Sequence, residues 1–400
     1  LMRPQTRPLP RPSSRLISSI TLALALLINA IVPAAATAAT TAPTGLAQLL
    51  AVNSLSAETR GIAVFSAVPS ASQLSSLNNL GLTVQPMRKV RLALVQGPVS
   101  AMKRAVSSGI ANDVYPDYPI ELLDTKSADA MGAAAVRAAG FTGKGVTVGV
   151  VDSGCDATHV DLADRVVHNV TLSSAEYVNG RPNADNTIIV PVDQGPYSNT
   201  DIGGGHGTHV AGIIAADSTS DPANKTHLGV APDASLACFA IGLVLFTSAV
   251  VTAYDVMLRQ PDLWGIDVVN NSWGNSFQQF DPRHPVAVAT KAVADNGAVI
   301  VFAAGNSGYS ETEMSLNPFS QAPWVISVAA SNVDDATTNR AEFSSNGLIF
   351  DNSQAVTIGA GGHTVFTGDR IGVYHPDVAA PGDNISSTCS SASTVVGPCP

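Results

Sequence analysis

Five short apolar runs between residues 146 and 330 constrain the fold of this chain more strongly than any other sequence feature. They occupy residues 146–151, 235–241, 266–270, 298–303 and 324–330, and they alternate with helical patterns at 129–139, 207–216, 248–259 and 285–296. Strands that are apolar along their whole length are typical of a parallel sheet with helices on both faces. We therefore predict an α/β fold with a doubly wound parallel sheet for this part of the chain.

A smaller unit precedes this region, over residues 60–122. Its pattern alternates strands at 60–68, 83–95 and 110–118 with helices at 70–80 and 99–107, and the middle stretch is long enough for two strands. The order β-α-β(β)-α-β is typical of a small open sheet with helices on one face. We therefore assign residues 45–124 to a small α+β domain and residues 125–400 to a larger domain.

The first 38 residues have the pattern of a secretory signal peptide. Four arginines among the first fifteen residues precede an apolar run from Leu16 to Val32, and small residues follow at Ala34–Ala38. An uncleaved membrane anchor is the alternative, but the run is shorter than the ~20 residues that a spanning helix needs. We predict a secreted, extracellular protein that has no membrane contact once residues 1–38 are removed.

Charge and cysteine content restrict the partners and the covalent links. The formal net charge is −10 and no basic patch with interleaved aromatic residues occurs, so we exclude nucleic acid as a partner. Export would allow the four cysteines to form disulfides. Cys389 and Cys399 would close a short loop and are a plausible pair, whereas the sequence leaves open whether Cys155 and Cys238 meet.

Two residues with side chains that can take part in catalysis lie at the ends of these predicted elements. Asp152 ends the first apolar run, and His206 lies between three glycines and the predicted helix at 207–216. Ligands bind outside the carboxyl ends of parallel strands, and Asn271 and Asn306 also follow predicted strands. We therefore predict one site at this edge of the sheet, where the carboxylate of Asp152 orients the imidazole of His206.

Each of these residues also has a simpler interpretation. Asp152 could cap a turn after its strand, and His206 could be a solvated loop residue. His206 and His209 are spaced i, i+3 and could bind zinc, but the segment holds no H-E-x-x-H motif and no glutamate to act as a base. We interpret His209 as a packed structural residue.

Two further strand ends could contribute to the same site. The strand at 298–303 breaks into small residues around Asn306, whose side-chain amide can donate a hydrogen bond to a developing oxyanion. An ordinary asparagine turn explains this segment equally well. The backbone of residues 270–274 could line a substrate cleft.

Taken together, these segments resemble the subtilisin-like serine proteases, the subtilases of peptidase family S8. They read Asp152-Ser153-Gly154, His206-Gly207-Thr208-His209-Val210-Ala211-Gly212, Asn270-Asn271-Ser272-Trp273-Gly274 and Ala303-Ala304-Gly305-Asn306. Gly229-Val230-Ala231-Pro232 and Val378-Ala379-Ala380-Pro381-Gly382 also match. The likeness spans roughly residues 125–400, with the aspartate before the histidine in the family's order.

The resemblance implies a subtilisin-like fold and a role for each matched residue. Asp152 would orient His206, His206 would act as general base and then general acid, and Asn306 would stabilise the oxyanion. Two walls of the pocket for the residue before the scissile bond would be Ser272, Trp273 and Gly274 on one side and Ala303, Ala304 and Gly305 on the other. The chemistry would need no cofactor, although Asp161 matches a position that binds structural calcium in some relatives.

The resemblance also implies a zymogen that acts on protein or peptide substrates as a monomer. Residues 45–124 look like the propeptide of the family, which serves as intramolecular chaperone and inhibitor. Processing would then occur near Leu122–Thr125.

Three departures from the family pattern set limits on this interpretation. The nucleophilic serine of a G-T-S-M-A motif does not occur within residues 1–400, and no G-x-S-x-G motif occurs either. We therefore expect the serine to lie beyond Pro400 and the chain as given to be inactive; the alternative is a non-catalytic secreted protein that binds peptides on the same fold. The segment 243–246 replaces a glycine-containing edge strand, and the stretch 348–374 resembles an insertion.

Overall fold

The computed structural model describes residues 44–117, 119–122, 131–174, 188–223, 228–242, 245–276, 278–308, 315–332, 340–347, 357–358, 363–364, 375–383 and 385–392. The chain forms two compact units, Leu1–Thr41 and Ala42–Pro400, and every described residue belongs to the second. The predicted signal peptide therefore lies outside the described residues, as does most of the stretch 348–374. Within these ranges, no helix combines the length and apolar composition that crossing a membrane requires.

The small unit has the predicted order of elements, with one additional helix at its start. Its elements are α1 (Gly45–Val52), β1 (Glu58–Val64), α2 (Ala71–Asn79), β2 (Thr83–Pro86), β3 (Leu92–Pro98), α3 (Val99–Ser107) and β4 (Asp113–Pro116). The sheet has the order β2-β3-β1-β4, and each neighbouring pair is antiparallel. Leu49, Phe65, Leu77, Val95 and Met102 are among the buried residues that join the helices to this sheet.

Side-chain caps explain where two of these helices begin. The hydroxyl of Ser70 accepts a hydrogen bond from the Gln73 N–H at 3.3 Å, and the Gln73 side chain accepts from the Ser70 N–H at 3.0 Å. This reciprocal pair is the capping box that starts α2. Asp113 accepts from the N–H groups of Gly45 and Leu46, each at 2.8 Å, and so holds the start of α1 against β4.

The larger part of the chain holds the remaining elements. The strands are β5 (Pro119–Leu122), β6 (Thr147–Asp152), β7 (Val166–Ser174), β8 (Ile189–Asp193), β9 (Ser235–Ala240), β10 (Leu245–Phe246), β11 (Ile266–Asn271), β12 (Trp273–Gly274), β13 (Val299–Ala303), β14 (Val325–Ser331), β15 (Thr357–Ile358), β16 (His363–Thr364) and β17 (Val378–Pro381). The helices are α4 (Ala133–Ala138), α5 (His206–Ala215), α6 (Thr247–Arg259), α7 (Pro261–Trp264) and α8 (Pro285–Asp295), with a 3₁₀ helix at Pro318–Gln321.

An eight-stranded sheet forms the centre of this part. Its order is β17-β14-β13-β11-β6-β9-β7-β8, and every neighbouring pair is parallel except β7 and β8. The five predicted apolar runs are β6, β9, β11, β13 and β14, each within a residue or two of the predicted bounds. The predicted doubly wound α/β fold is therefore confirmed.

Buried side chains cover both faces of this sheet. On β6, Val148 and Val150 pack in one cluster with Val210 and Ala215 of α5. Val151, the next residue along the strand, packs in a second cluster, which includes residues of α6 and α8. Successive side chains of a strand point to opposite faces, so α5 lies on one face and α6 and α8 on the other.

Two further features tie distant parts of the chain together. Cys155, just after β6, forms a disulfide with Cys238 of β9, which settles the pairing that the sequence left open. Cys389 is also disulfide-bonded, and its predicted partner Cys399 lies outside the described residues. A separate three-stranded sheet has the order β10-β5-β12, so the segment after the small unit lies between two strands of the larger part.

Candidate active site

The structure brings Asp152 and His206 into contact at the edge of the large sheet. Asp152 is the last residue of β6 and His206 is the first of α5, and their side chains are buried. Nδ1 of His206 lies 2.6 Å from Oδ1 of Asp152. Because an ionised carboxylate only accepts hydrogen bonds, Nδ1 carries the proton in this pair. The other ring nitrogen, Nε2, is then the one that can accept a proton.

A second buried carboxylate, Asp201, holds the start of α5. Its Oδ2 accepts from the Thr208 N–H at 3.0 Å and from the Thr208 hydroxyl at 2.7 Å. Its Oδ1 accepts from the Gly205 N–H at 2.8 Å and the Ser153 hydroxyl at 3.0 Å. Gly205, in the cap position, has a φ of 74° and no side chain to satisfy the first N–H groups of the helix. Asp201 therefore supplies the cap that the helix start itself lacks.

The glycine after His206 allows α5 to lie directly against the loop after β6. A Cβ at Gly207 would collide with the carbonyl oxygen of Gly154. The Gly207 N–H donates to the hydroxyl of Ser153 at 2.8 Å, and the adjacent Ser153 N–H donates to Oδ1 of Asp152 at 2.7 Å. Ser153 therefore links the carboxylate to the helix that carries the imidazole.

The two predicted pocket walls are the segment 272–274, which includes β12, and the segment 303–305, which begins at the last residue of β13. The backbone of β12 pairs antiparallel with β5, Trp273 opposite Leu122 and Gly274 opposite Glu121. The indole of Trp273 does not face this strand: it is buried, donates from Nε1 to the Val151 carbonyl at 2.8 Å, and packs on Phe302. The contribution of Trp273 to a cleft is therefore its main chain.

The amide residues at the strand ends have different environments. Asn306 follows β13 and has an exposed side chain. Asn271, at the end of β11, is buried, accepts from the Tyr254 hydroxyl at 2.5 Å and donates to the Val301 carbonyl at 3.1 Å. The side chain of Asn271 is therefore used between strands of the sheet, and the role of Asn306 stays a prediction.

Comparison with known proteins shows the family of the chain. The family model described as the Subtilase family, Peptidase S8, matches residues 143–398. The chain belongs to the subtilase family. It is similar to subtilisin DY of Bacillus licheniformis, with 35% identity over 218 residues that cover 53% of this chain and 65% of that protein. It is also similar to subtilisin E of Bacillus subtilis (strain 168), with 34% identity over 226 residues that cover 55% of this chain and 49% of that protein.

A solved structure supports the same fold. Fervidolysin from Fervidobacterium pennivorans, a keratinolytic enzyme related to subtilisin, matches with a TM-score of 0.53 and 20% identity. The match covers 73% of this chain and 46% of that one. The chain thus spans between about half and two thirds of the length of these three relatives, so its complete activity is a matter for proposal.

Three serine hydroxyls of this subtilase, in the described residues 385–392, donate hydrogen bonds to neighbouring groups. The Ser387 hydroxyl donates to the His209 carbonyl at 2.7 Å, and the Ser390 hydroxyl donates to the Asp201 carbonyl at 2.8 Å. The Ser391 hydroxyl donates to Asp156 at 2.7 Å. The segment packs on α5 closely, since a Cβ at Gly212 would collide with Ser387. The Ser387 hydroxyl therefore holds this segment against the histidine-bearing helix, and the other two hydroxyls bind it to loops beside that helix.

Asp156 links this segment to the loop after β6. It accepts from the Ser391 N–H and hydroxyl, and from the N–H and hydroxyl of Thr158. Although burial alone would raise it, the pKa of Asp156 is lowered, because these hydrogen bonds stabilise the ionised form.

The hydrogen bonds that the Asp161 carboxylate accepts do not fit a bound cation. Asp161 is buried, and its two carboxylate oxygens accept from the Ser220 N–H and the Ser220 hydroxyl, each at 2.6 Å. Calcium binds to oxygen ligands and not to N–H groups. The part of the chain that the structure describes holds no group of three or more His, Cys, Asp or Glu residues around a possible metal position. The calcium site predicted at Asp161 finds no support in this arrangement.

Sequence reasoning did not single out Asp201 or Asn317. Asn317, just before the 3₁₀ helix, is fully buried and donates to carbonyls of both pocket walls. The signal for Asp201 was present, since an acidic residue shortly before a glycine-rich helix start is a candidate cap. No local pattern identifies Asn317, because its partners lie 44 and 14 residues away in sequence.

Proposed function

We propose that this chain is part of a secreted serine endopeptidase precursor that hydrolyses peptide bonds through an Asp–His–Ser triad. The observation that carries the proposal is the buried contact of 2.6 Å between Nδ1 of His206 and Oδ1 of Asp152. A histidine held in this way can take a proton at Nε2, and the carboxylate stabilises the imidazolium that forms. The family of the chain supports the same reaction class.

The proposed reaction follows from this pair. His206 takes the proton of a serine hydroxyl as the serine oxygen attacks the peptide carbonyl carbon. The Asn306 amide donates to the oxyanion of the tetrahedral intermediate. His206 then gives its proton to the departing amine, and water repeats the sequence on the acyl-enzyme. No cofactor enters this chemistry.

The cleft in this proposal takes an extended peptide between β10 and β12. Support comes from β5, which pairs antiparallel with both strands, Leu245 opposite Ile120 and Trp273 opposite Leu122. Main-chain hydrogen bonds of this kind are a common way to bind extended peptides. Because residues 119–122 belong to the segment after the small unit, we propose that residues 45–124 act as a propeptide that blocks the cleft until it is cut near 122–125.

Contacts between the small unit and the larger part support this inhibitory role. Asp117 accepts from the Ser248 N–H at 2.8 Å, at the start of α6, and from the Ser248 hydroxyl at 2.5 Å. The Tyr115 hydroxyl donates to Asp281 at 2.6 Å, and its ring packs edge-on against His284 at 5.3 Å. Burial raises the pKa of Asp117, although Ser248 and Arg60 oppose the shift.

The proposal also includes secretion of the protein and a nucleophilic serine outside residues 1–400. The basic and apolar leader and the Cys155–Cys238 disulfide support export. No G-T-S-M-A motif occurs within residues 1–400, so the nucleophile would be a serine outside them and the 400-residue polypeptide would be inactive alone. The same observation favours the second candidate, a secreted peptide-binding protein without catalysis.

Fluorophosphonate labelling separates the two candidates. The natural protein is isolated from its source with an antibody against residues 143–392 and compared with the recombinant 400-residue chain. The protease proposal expects one labelled serine and peptide hydrolysis in the natural protein, and neither in the recombinant chain. An unlabelled natural protein that still binds peptides would establish the second candidate. Stoichiometric labelling of the recombinant chain would show that a serine within residues 1–400 is the nucleophile.

A further inference from the structure

A cavity of about 480 Å³ lies between the small unit and the larger part of the chain. The small unit contributes the loop after β1 and the loop between β2 and β3 to its lining. The larger part contributes α8 with the loop before it, and the residue that precedes β14. Sites that bind small organic molecules have volumes of roughly 300–1,000 Å³, so this cavity is large enough to be one.

The charge of this cavity is opposite in sign to that of the chain as a whole. The chain has a formal net charge of −10. The charged residues of the lining are three cations, Lys89, Arg91 and Lys291, and one carboxylate, Asp295. Asp295 already accepts from the Lys291 ammonium group, at 2.7 and 2.8 Å. The charges of Lys89 and Arg91 are therefore in excess.

Other cations near the contact between the two parts have a carboxylate beside them. These ion pairs are Arg60 with Asp117, Arg259 with Asp255 and Arg283 with Asp281. Among the described residues, the side chains of Lys89 and Arg91 have no such partner. Lys89 does contact Asp255, but through its main-chain N–H, which donates at 2.8 Å. The excess positive charge in the cavity is thus not compensated by these carboxylates.

Arg91 is the more constrained of the two cations. Its side chain is half-buried, and its carbonyl accepts from the Phe65 N–H at 2.9 Å. Burial lowers the pKa of Arg91, because a guanidinium that is taken out of water loses hydration. An anion in the cavity would replace this hydration with charge-assisted hydrogen bonds. The planar guanidinium matches the geometry of a phosphate group, to which it can donate two hydrogen bonds at once.

Most of the remaining lining is apolar. Val68 and Val90 line the cavity from the small unit, and Trp324 lines it from the larger part. The Lys291 ammonium group lies 5.7 Å from the centroid of the Trp324 ring, so positive charge and an aromatic surface are adjacent. This combination suits a ligand that joins an anionic group to an apolar body.

We propose that this cavity binds an organic phosphate, with the phosphate group on Arg91 and Lys89 and the apolar body against Val90 and Trp324. A phosphate monoester carries about two negative charges at neutral pH, which matches two cations without carboxylate partners. Because the walls come from both parts of the chain, the bound ligand also holds the small unit against α8. This binding requires no protease activity.

Phenyl phosphate is the probe, because it joins a phosphate monoester to an aromatic ring. Its binding to the 400-residue chain is measured by isothermal titration calorimetry and by the rise in melting temperature that it causes. Arg91→Gln removes the half-buried charge. Arg88→Gln is the matched control, since Arg88 has the same charge in the same loop but is exposed and lies outside the cavity lining. Lys89→Gln is a second test variant if Arg91→Gln does not fold.

We expect saturable binding of one phenyl phosphate per chain. Arg91→Gln should weaken this binding at least about tenfold, because a hydrogen-bonded charge is lost. Arg88→Gln should weaken it less than about twofold, because an exposed charge outside the cavity is screened. The melting temperature should rise with phenyl phosphate in the natural chain and in Arg88→Gln, and hardly at all in Arg91→Gln. Inorganic phosphate should bind at least about threefold more weakly, since it has no apolar body.

Three results would overturn the proposal. The first is the absence of saturable binding at millimolar concentrations of phenyl phosphate. The second is an equal loss of affinity in Arg91→Gln and Arg88→Gln, which would show attraction to the surface charge in general. The third is equal affinity for inorganic phosphate and phenyl phosphate, which would exclude a contribution of Val90 and Trp324.

Discussion

Asp201 receives both the N–H and the hydroxyl of Thr208, at 3.0 and 2.7 Å, from the first turn of the helix that carries His206. Four donors in total converge on this one buried carboxylate, the others being the Gly205 N–H and the Ser153 hydroxyl. A carboxylate at a helix start also interacts favourably with the helix dipole. The position of the His206 imidazole thus depends on a second acid that does not touch it.

Removing this acid should destabilise the protein. We expect Asp201→Ala to lower the free energy of unfolding by at least about 3 kcal/mol, since four buried donors lose their acceptor. Urea denaturation of the 400-residue chain measures the change. The control is Asp193→Ala, because Asp193 also accepts from His168, Asn169 and Gly195 but is partly exposed, so water can replace it. Equal losses for the two variants would contradict the proposed importance of burial.

Asp152 should matter for rate more than for stability. Asp152→Asn keeps an oxygen that can accept from His206 and Ser153 but removes the negative charge that stabilises the imidazolium. On the proposed function, kcat/KM of the natural protein should fall about 10⁴-fold, with little change in melting temperature. A peptide-hydrolysis assay checks this result, with His206→Ala as the variant that removes the base itself. Full activity in either variant would rule out their assigned roles.

The disulfide beside Asp152 should contribute strongly to stability. Cys155 and Cys238 are 83 residues apart, so their bond restricts a long loop in the unfolded chain. We expect the double variant Cys155→Ala/Cys238→Ala to lose about 4 kcal/mol in denaturant unfolding. Cys389→Ala is the comparison: if Cys389 pairs with Cys399, its short loop predicts a smaller loss, about 2–3 kcal/mol. A larger loss of stability for Cys389→Ala than for the double variant would contradict the argument from loop length.

His284 should make the stability depend on pH. It lies between Tyr115 and Phe319, with Asp281 and Arg283 as the nearby charged groups, and its Nδ1 accepts from the Val286 N–H at 3.2 Å. Burial lowers the pKa of His284 from 6.5 to about 4, although Asp281 opposes the shift. Between these values the unfolded chain binds more protons than the folded chain, so stability falls as the pH falls from about 6.5 to about 4.

Chemical denaturation at several pH values measures this effect. The loss should not exceed about 3 kcal/mol, because His284 is only partly buried. His284→Asn keeps a side-chain cap for α8 and cannot titrate, so it should remove most of the pH dependence in this window. An unchanged slope in the variant would assign the dependence to other groups.

The hydrogen bonds between Asp161 and Ser220 lead to a prediction about the effect of a chelator on stability. Because Ser220 already donates to both carboxylate oxygens, we expect EDTA to leave the melting temperature unchanged. Ser220→Ala should lower the free energy of unfolding by about 1 kcal/mol through the lost hydroxyl hydrogen bond. A fall in melting temperature with EDTA would show that a bound cation stabilises the protein.

The parts of the fold that the sequence predicts are those with a local signal. The strands β6, β9 and β14 are apolar along their length, and α8 begins at Pro285 after a capping residue, so periodicity and caps locate them. The strands β7, β8 and β17 were not predicted. Polar residues interrupt β7 and Pro191 interrupts β8, the two strands that form the antiparallel edge of the sheet, and β17 has only four residues.

The candidate site also combines residues that a local sequence signal predicts with residues that have no such signal. Asp152 and His206 stand next to a strand end and a helix start, so sequence reasoning could place them at one edge of the sheet. Asn317 and the Cys155–Cys238 bond depend on contacts between segments far apart in sequence, which a single sequence does not reveal. The pairing of β5 with β12 was also not predicted, because it requires knowing where two distant strand edges lie.

The strand β5 has a thermodynamic consequence for any other peptide. Since β5 lies between β10 and β12, a free peptide that pairs with those strands must first displace it. A tethered segment competes at an effective concentration of about a millimolar or more. A substrate at micromolar concentration therefore gains little occupancy while the tether is whole. On the proposed function, cutting the chain near residues 122–125 would turn this internal competitor into one that dilution can remove.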